Sequence, residues 1–313
     1  MTRDYDDRPL ILTLGGINMD LVTFSNRLPA DGETVVGDRF VTYPGGKGAN
    51  QAVATARMGA RSAMIGRVGD DMFGPQLIDL LQSASVETGA VGVSSGANSG
   101  IAVISVGEGG QNRIVQVLGA NDTCGDAEYD AVAELLPQAS ALMLQLEVSI
   151  ELSMRTAELA SSQGVSVILD PGPVRPVPAE FYSYVSIITP NETEAEALVG
   201  HSITDTLTAA NAADELLSRG VGSAVIKLGA QGAYWADGVG EGEVRPFPVQ
   251  AVDTVAAGDA FNGALAVALS EGHSLESAVR WGCAAGALSV TRVGAQDSMP
   301  ERDAVLALLE QSA

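Results

Sequence analysis

Residues 253–265, Asp-Thr-Val-Ala-Ala-Gly-Asp-Ala-Phe-Asn-Gly-Ala-Leu, form the most informative stretch of the chain. A turn of small residues runs here directly into a segment with helical periodicity, residues 258–270. Ala256, Ala257 and Gly258 have almost no side chains, so a phosphate can approach their N–H groups at the positive end of the helix dipole. We therefore predict that the backbone of residues 256–259 forms an anion hole.

Asp259 stands at the same helix start, where a carboxylate used only for anion binding would repel the anion. It is better explained as a general base that takes the proton of an attacking hydroxyl while the anion hole stabilises the transferred group. The alternative is an N-terminal helix cap, which is the commoner role of Asp in a lone Gly-Asp pair before a helix. The complete stretch favours the base.

Two earlier stretches contain residues suited to binding sugar hydroxyls. Pro44-Gly-Gly-Lys-Gly-Ala-Asn50-Gln-Ala is a glycine-rich turn that enters a helix, and it lacks the spacing of a P-loop. Lys47 and Asn50 place a cation and an amide at that helix start. Gly15-Gly-Ile-Asn18-Met-Asp20 leaves the first strand at its carboxyl end, where open α/β sheets bind ligands. Asn18 and Asp20 can both hydrogen-bond to neighbouring hydroxyls.

The chain outside these motifs alternates short apolar runs with longer helix-like segments, which predicts an α/β fold with a mostly parallel sheet covered on both faces. The predicted strands are Leu10–Leu14, 141–146, 165–169, 185–189 and 224–228. Residues 258–270, 275–291 and 301–311 show helical periodicity and should cover one face.

Two regions interrupt this alternation: residues 21–43, and the pair Gly100–Val106 and Asn112–Val117. Both are predicted to be antiparallel strands inserted into the α/β frame, where they could form a small lid over the edge of the sheet. The alternative is that they are ordinary surface hairpins.

Composition limits the possible functions. The chain has 313 residues, 46% of them hydrophobic, and a formal charge of −22. No repeat or linker divides it, so we expect one main domain over residues 1–313. The charge argues against nucleic-acid binding, which needs basic contacts. We expect a cytoplasmic protein, since neither a signal peptide nor a membrane span is evident. Cys124 and Cys283 match no metal spacing and are assigned no chemistry.

The two glycine-rich stretches together resemble the paired signatures of the PfkB family of carbohydrate kinases. Further matches to that family are Gln145-Leu-Glu147, Ile188-Thr-Pro-Asn-Glu-Thr-Glu-Ala-Glu196, Leu228-Gly and Thr291-Arg-Val-Gly-Ala-Gln296. The resemblance implies a three-layer α/β/α fold with a mostly parallel sheet. It also implies a small β-sheet lid, with strands inserted at about residues 17–45 and 98–118, through which two chains form a homodimer.

The same resemblance implies roles for single residues. Asp259 would be the catalytic base, and the pentose would be held by Asn18, Asp20, Gly46, Lys47, Asn50, Glu147 and Asp259. Asn191 and Glu194 would act near Mg²⁺, through water, although Glu192, Glu194 and Glu196 alone would suggest a solvated helix start. The implied ATP-binding residues are Asn191, Lys227, Gly229, Gly232 and Gly258. Lys227 departs from the Thr that is common in bacterial relatives, which leaves its contact open.

The resemblance also implies a K⁺ ion beside the anion hole, which would shape the turn without touching the substrate. The residues at matching positions are Asp253, Val255, Ser289, Arg292, Gly294 and Ser298. Asp253 alone could equally be a turn cap.

The expected reaction is phosphorylation of D-ribose at its 5-hydroxyl by ATP. Family members that act on ribose place an asparagine at the position of Asn18, to engage the 2-hydroxyl, whereas those that act on 2-deoxyribose have Met there. Adenosine and other nucleosides are the runner-up class of acceptor, and 2-deoxyribose and fructose are further alternatives. A sugar or nucleotide sensor without turnover is the alternative from another class, but a sensor has no need for a base such as Asp259.

Overall fold

The computed structural model describes residues 7–312, which form two β-sheets of nine and four strands. The larger sheet has, in spatial order, β13 (Glu241–Val244), β12 (Ala233–Asp237), β11 (Ser223–Lys227), β10 (Ile187–Ile188), β9 (Ser166–Asp170), β8 (Ala139–Gln145), β1 (Leu10–Leu14), β4 (Arg61–Gly69) and β5 (Glu87–Ser94). The strands from β11 to β5 are parallel, and β12 and β13 continue the sheet in antiparallel fashion. All five residues of β1 are buried, as expected for a strand covered on both faces.

Helices cover both faces of this sheet. One layer contains α1 (Lys47–Arg57), α2 (Phe73–Ser83), α7 (Ala257–Ser270), α8 (Leu275–Ser289) and α9 (Arg302–Gln311), and the other contains α3 (Asp126–Leu135), α4 (Ile150–Ser162), α5 (Glu192–Val199) and α6 (Thr206–Ser218). Alternation along β1 supplies both cores, since Ile11 packs into the first and Leu10, Leu12 and Leu14 into the second. The three-layer α/β/α prediction is confirmed, and the three predicted C-terminal helices share one face.

The smaller sheet has the order β3 (Arg39–Gly45), β2 (Asn18–Phe24), β6 (Gly100–Val106) and β7 (Asn112–Val117). β2–β3 and β6–β7 are antiparallel pairs, but the central strands β2 and β6 run parallel. The prediction of antiparallel strands is therefore confirmed within each inserted region, and the parallel pairing of β2 with β6 joins the two regions. β2 continues from β1 and β6 from β5, and because β1 and β5 are parallel, both extensions leave the main sheet in the same direction.

The topology gathers the motifs at the carboxyl edge of the main sheet. β8, β9 and β11 end at Gln145, Asp170 and Lys227, and β1 leads into β2 at the same edge. Helices α1 and α7 begin there too, since Lys47 of α1 hydrogen-bonds to Asp170 at the end of β9, and Asn50 of α1 hydrogen-bonds to Asp259 of α7. This is the edge where open α/β sheets bind ligands. Within residues 7–312, no helix has the length and apolar character needed to cross a membrane.

Candidate active site

Asp259 lies in the first turn of α7 with 5% of its surface exposed. Its carboxylate accepts hydrogen bonds from Asn50 Nδ2 and Gln51 Nε2 on α1, both at 3.0 Å. Within residues 7–312, no hydrogen bond joins this carboxylate to the backbone of its own helix. Burial raises the pKa of Asp259 above its usual range, although the charge of Lys47 opposes this change. The carboxylate is thus held by α1 and tuned toward proton acceptance rather than used as a cap.

The backbone before Asp259 presents amide donors. Ala256 adopts the left-handed conformation, with φ 59° and ψ 13°, which costs a non-glycine residue about 1 kcal/mol. Among the described residues, the N–H groups of Ala256 and Gly258 have no acceptor, and that of Ala257 makes only a long bond of 3.4 Å to the Thr254 carbonyl. The N–H of Asp259 donates to the carbonyl of Ala256 at 3.0 Å. The N–H groups available to the predicted anion hole are therefore those of residues 256–258, without that of Asp259.

Asn18 is buried at the start of β2, and a neighbour fixes its orientation. Nδ2 of Asn121 donates to Oδ1 of Asn18 at 2.8 Å, while Oδ1 of Asn121 accepts the N–H of Ile17 at 2.9 Å. The amide oxygen of Asn18 is therefore engaged, and its Nδ2 is left to donate. Asn121 is a residue that sequence reasoning missed, because it contacts Asn18 only through the tertiary fold.

Glu147 follows β8 and joins the start of α1 to the small sheet. Its Oε2 accepts the backbone N–H of Lys47, and its Oε1 accepts Nε2 of Gln116 on β7, both at 2.7 Å. Gly46 precedes α1 with a φ of 89°, a conformation that favours glycine. Burial raises the pKa of Glu147, although the positive charge of Lys47 acts to lower it. Gln116 is a second residue that sequence reasoning missed.

Asp20 lies close enough to Glu147 and Asp259 for their charges to affect its carboxylate. Its carboxylate packs on the backbone of Gly45, where a Cβ would lie 2.5 Å from Oδ2. Burial, followed by the charges of Glu147 and Asp259, raises the pKa of Asp20 to about 7. Three carboxylates with raised pKa values thus converge next to the amide of Asn18. These carboxylates can accept hydrogen bonds, so they favour a ligand that donates them, as sugar hydroxyls do.

A buried charge cluster lies between α1 and strands β9 and β11. Nζ of Lys47 donates to Asp170 Oδ2 at 3.1 Å and is 3.6 Å from Oε1 of Glu194. Asp170 also accepts Gln51 Nε2 at 2.9 Å and lies 3.6 Å from Nζ of Lys227. The ammonium group of Lys47 therefore contacts carboxylates of β9 and α5, while its backbone N–H binds Glu147. Sequence reasoning missed Asp170 and Gln51, although Asp170 directly follows a predicted strand.

Asn191 and Glu194 form a capping box at the start of α5. Oδ1 of Asn191 accepts the N–H of Glu194 at 2.8 Å, and Oε2 of Glu194 accepts the N–H of Asn191 at 2.9 Å. Oε1 of Glu194 accepts no hydrogen bond from the described residues, although it lies 3.6 Å from Nζ of Lys47. Within residues 7–312, no group of three acidic, His or Cys side chains could enclose a metal. The pair fits a hydrated Mg²⁺ that takes its inner ligands from water and phosphate.

Gly229 and Gly232 flank the turn after β11, with φ values of 50° and 95°. A Cβ on Gly232 would collide with the carbonyl of Val244, so packing against β13 already requires glycine there. A Cβ on Gly229 would face Oε1 of Glu192 at 3.5 Å, at the start of α5. The backbone N–H of Lys227 donates to the carbonyl of Pro190 at 2.8 Å and ties this turn to α5. A nucleotide role for these glycines stays a prediction.

Asp253 joins the turn before α7 to the loop after α8. Its carboxylate accepts the N–H groups of Val255 and Gly294, both at 3.0 Å. The carbonyl of Ser289 accepts the N–H of Arg292 at 3.1 Å, and the Ser298 hydroxyl donates to the Ala295 carbonyl at 2.8 Å. The segments predicted to hold K⁺ are therefore clamped together. Their carboxylate, carbonyl and hydroxyl oxygens fit a hard cation.

The chain belongs to the pfkB family of carbohydrate kinases, whose model matches residues 8–302. A ribokinase of Bacillus subtilis is 40% identical to it over 299 residues, covering 96% of this chain and 99% of the relative. A deoxyribokinase of Salmonella typhi is 35% identical over 291 residues, covering 93% and 95%. The structure of an Arabidopsis thaliana ribokinase complexed with ribose and ATP is similar, with a TM-score of 0.89, 34% identity and coverage of 97% and 99%.

Proposed function

We propose that the protein transfers the γ-phosphoryl group of ATP to the 5-hydroxyl of D-ribose, giving D-ribose 5-phosphate and ADP. One observation carries the proposal. Asp259, whose carboxylate is buried, is the next residue after Gly258 in the first turn of α7. The N–H of Gly258 has no acceptor among the described residues. An alcohol that donates a hydrogen bond to the Asp259 carboxylate would therefore be near the N–H of Gly258, a donor suited to a phosphoryl oxygen.

The reaction then follows from the site. Asp259 accepts the proton of the 5-hydroxyl while the hydroxyl oxygen forms a bond to the γ-phosphorus. The bond from the γ-phosphorus to the bridging oxygen breaks, and ADP leaves. Amides of residues 256–258 stabilise the charge on the transferred group. Asn50 and Gln51 hold the carboxylate in place through their hydrogen bonds.

The acceptor is chosen by hydrogen bonding in the sugar pocket. Asn121 occupies the amide oxygen of Asn18, so the Nδ2 of Asn18 is free to donate to a 2-hydroxyl. A 2-deoxy sugar leaves that buried amide unpaired, at a cost of about 1–3 kcal/mol. Asp20 and Glu147 accept other hydroxyls. The runner-up acceptor is 2-deoxyribose, the substrate class named for one relative, ahead of nucleosides and fructose.

Two cations fit this proposal. We assign Mg²⁺ to the surroundings of Asn191 and Glu194, where it would be held through water and would neutralise phosphate charge. We assign K⁺ to the oxygens around Asp253, where it would fix the turn that presents the amides. Lys227, Gly229 and Gly232 complete the proposed nucleotide site.

Further parts of the proposal concern the whole molecule. We propose that residues 1–313 act as one cytoplasmic kinase domain, with the small sheet as its lid. That sheet exposes several apolar side chains, and we propose that it joins two chains as a homodimer. The exposed residues are Phe40, Val103, Ile114, Val115 and Val117.

An acceptor panel tests the function. Ribose, 2-deoxyribose, fructose and adenosine are each supplied with ATP, Mg²⁺ and K⁺, and the phosphorylated products are identified. We expect D-ribose 5-phosphate as the main product. Ribose-dependent ADP release supports the kinase, whereas ribose and ATP binding without turnover would support the sensor.

Asp259→Asn tests the base. It should lower kcat by about 10²–10⁴-fold with little change in ribose or ATP binding. Asp303→Asn is the matched control, because it neutralises an exposed carboxylate in the first turn of α9. Near wild-type turnover by Asp259→Asn would remove Asp259 from its role.

A further inference from the structure

Asp170 is a carboxylate with 1% of its surface exposed and two ammonium groups near it. Burial alone would raise its pKa, but the charges of Lys227 and Lys47 hold the pKa of Asp170 below its usual range. The two cations are bound differently. Lys47 donates a hydrogen bond at 3.1 Å, whereas Nζ of Lys227 stays 3.6 Å from Oδ1, an oxygen without a hydrogen-bond partner among the described residues.

Lys227 extends from the end of β11 toward the start of α7. A Cβ built on Gly258 would lie 3.2 Å from Nζ of Lys227, so the absent side chain of this glycine is what leaves room for the ammonium group. No hydrogen bond engages Nζ within the described part of the chain. Within the described residues, Lys227 thus has free donors, is held by charge attraction to Asp170, and lies next to Gly258, whose own N–H has no acceptor.

We propose that Lys227 binds the γ-phosphoryl group of ATP beside the N–H of Gly258, and that Asp170 is the positioning residue that holds Lys227 there. This inference rests on the proposed function and adds a charged ligand to the anion hole. A buried ammonium is suited to the charge that develops on the transferred group, because neutral amides bind phosphate oxygens more weakly than cations do.

Gln51 joins this phosphate ligand to the base. Its Nε2 donates to Asp259 at 3.0 Å and to Asp170 at 2.9 Å, and its Oε1 accepts Nε2 of Gln145. Asp170 therefore holds Lys227 through charge attraction. Through Gln51 it also helps to position the carboxylate of Asp259, which receives the proton.

Nucleotide binding by Lys227→Met tests the proposal, measured with ADP and with a non-hydrolysable ATP analogue. We expect the analogue to bind about 10–100-fold more weakly, the equivalent of one charged hydrogen bond, while ADP and ribose affinities change less than about threefold. Lys227→Arg should restore most of the analogue affinity. Arg155→Met is the control, because it removes a cation from an ion pair on α4, remote from the site.

Asp170→Asn tests the positioning role. It should raise the KM for ATP more than the KM for ribose, and the double variant with Lys227→Met should lose less than the product of the two single losses. If Lys227→Met does not fold, Lys227→Gln provides the same comparison, since its amide can still contact Asp170.

Equal weakening of ADP and the analogue, or no weakening of either, would overturn the proposal, as would strictly additive losses in the double variant. The nucleotide measurement needs no sugar turnover. A failure of the proposed function, seen as a wild-type protein that does not phosphorylate ribose, is therefore distinguishable from a failure of this inference.

Discussion

Asp20→Asn should stabilise the ligand-free protein at pH 8 by about 4 kcal/mol. Asp20 has a pKa of about 7 in the folded chain, against an ordinary value of 3.8. A pKa difference of one corresponds to about 1.4 kcal/mol between the ionised and neutral forms. Above pH 7 the folded protein must carry this charge in a site that disfavours it. The substitution removes no side-chain hydrogen bond of Asp20, because none is made within the described residues.

The sign of the pH dependence follows from proton binding. Between about pH 4 and pH 7 the folded wild type keeps the Asp20 proton that the unfolded chain has lost, so the Asp20 contribution to stability falls as pH rises through this range. The Asn side chain has no proton to lose. The advantage of the variant should therefore shrink to under about 1 kcal/mol at pH 4.

Urea unfolding of the wild type and Asp20→Asn at pH 4 and pH 8 measures both differences. Asp31→Asn is the control, because it removes the same charge from an exposed position of this acidic chain. An advantage that is equal at the two pH values, or equal to that of Asp31→Asn, would refute the reasoning. The variant should also bind ribose more weakly, since it exchanges a carboxylate acceptor for an amide.

Two further predictions concern residues that orient the site. Asn121→Ala should raise the KM for ribose about tenfold, because Asn18 loses the partner that fixes its amide, while the KM for ATP stays within about twofold; steady-state kinetics that show equal effects on both would contradict this. Asp253→Asn should weaken the proposed K⁺ activation of kcat about tenfold, because the proposed K⁺ site loses a negative charge; a potassium titration identical to wild type would remove Asp253 from the proposed cation site.

Much of the fold follows from local sequence. The strand predictions at Leu10–Leu14, Gly100–Val106 and Asn112–Val117 are confirmed to the residue. The first two strands end directly before a glycine, Gly15 and Gly107. Local pattern does not identify β4 and β5. Their sequences, Arg61–Gly69 and Glu87–Ser94, mix glycine and charged residues, and pairing of β4 with β1 and of β5 with β4, rather than propensity, makes them strands.

The sequence likewise indicates some residues of the candidate site and gives no sign of others. Asn18, Asn50 and Asp259 stand in motifs at element boundaries, so their sequence neighbours indicate a ligand. Asn121 and Gln116 stand in ordinary surroundings, and only the tertiary fold brings each to its partner, which is 103 residues away for Asn121 and 31 for Gln116. The left-handed conformation of Ala256 is equally hidden in the sequence, since alanine rarely adopts it.

The sorting of charge within the site explains how a chain of charge −22 can bind the anion ATP. On the sugar side, Asp20, Glu147 and Asp259 have raised pKa values, so this side favours protons and hydroxyl donors. On the phosphate side, Asp170 is paired with two lysines, and the N–H groups of Ala256 and Gly258 have no acceptor among the described residues. The average surface repels phosphate, but the start of α7 offers an ammonium group and backbone N–H donors for it. Gln51 lies between the two sides, because its Nε2 donates to Asp259 on the sugar side and to Asp170 on the phosphate side. In the proposed reaction the proton would move to Asp259, and the phosphoryl group would be bound on the side of Asp170 and Lys227.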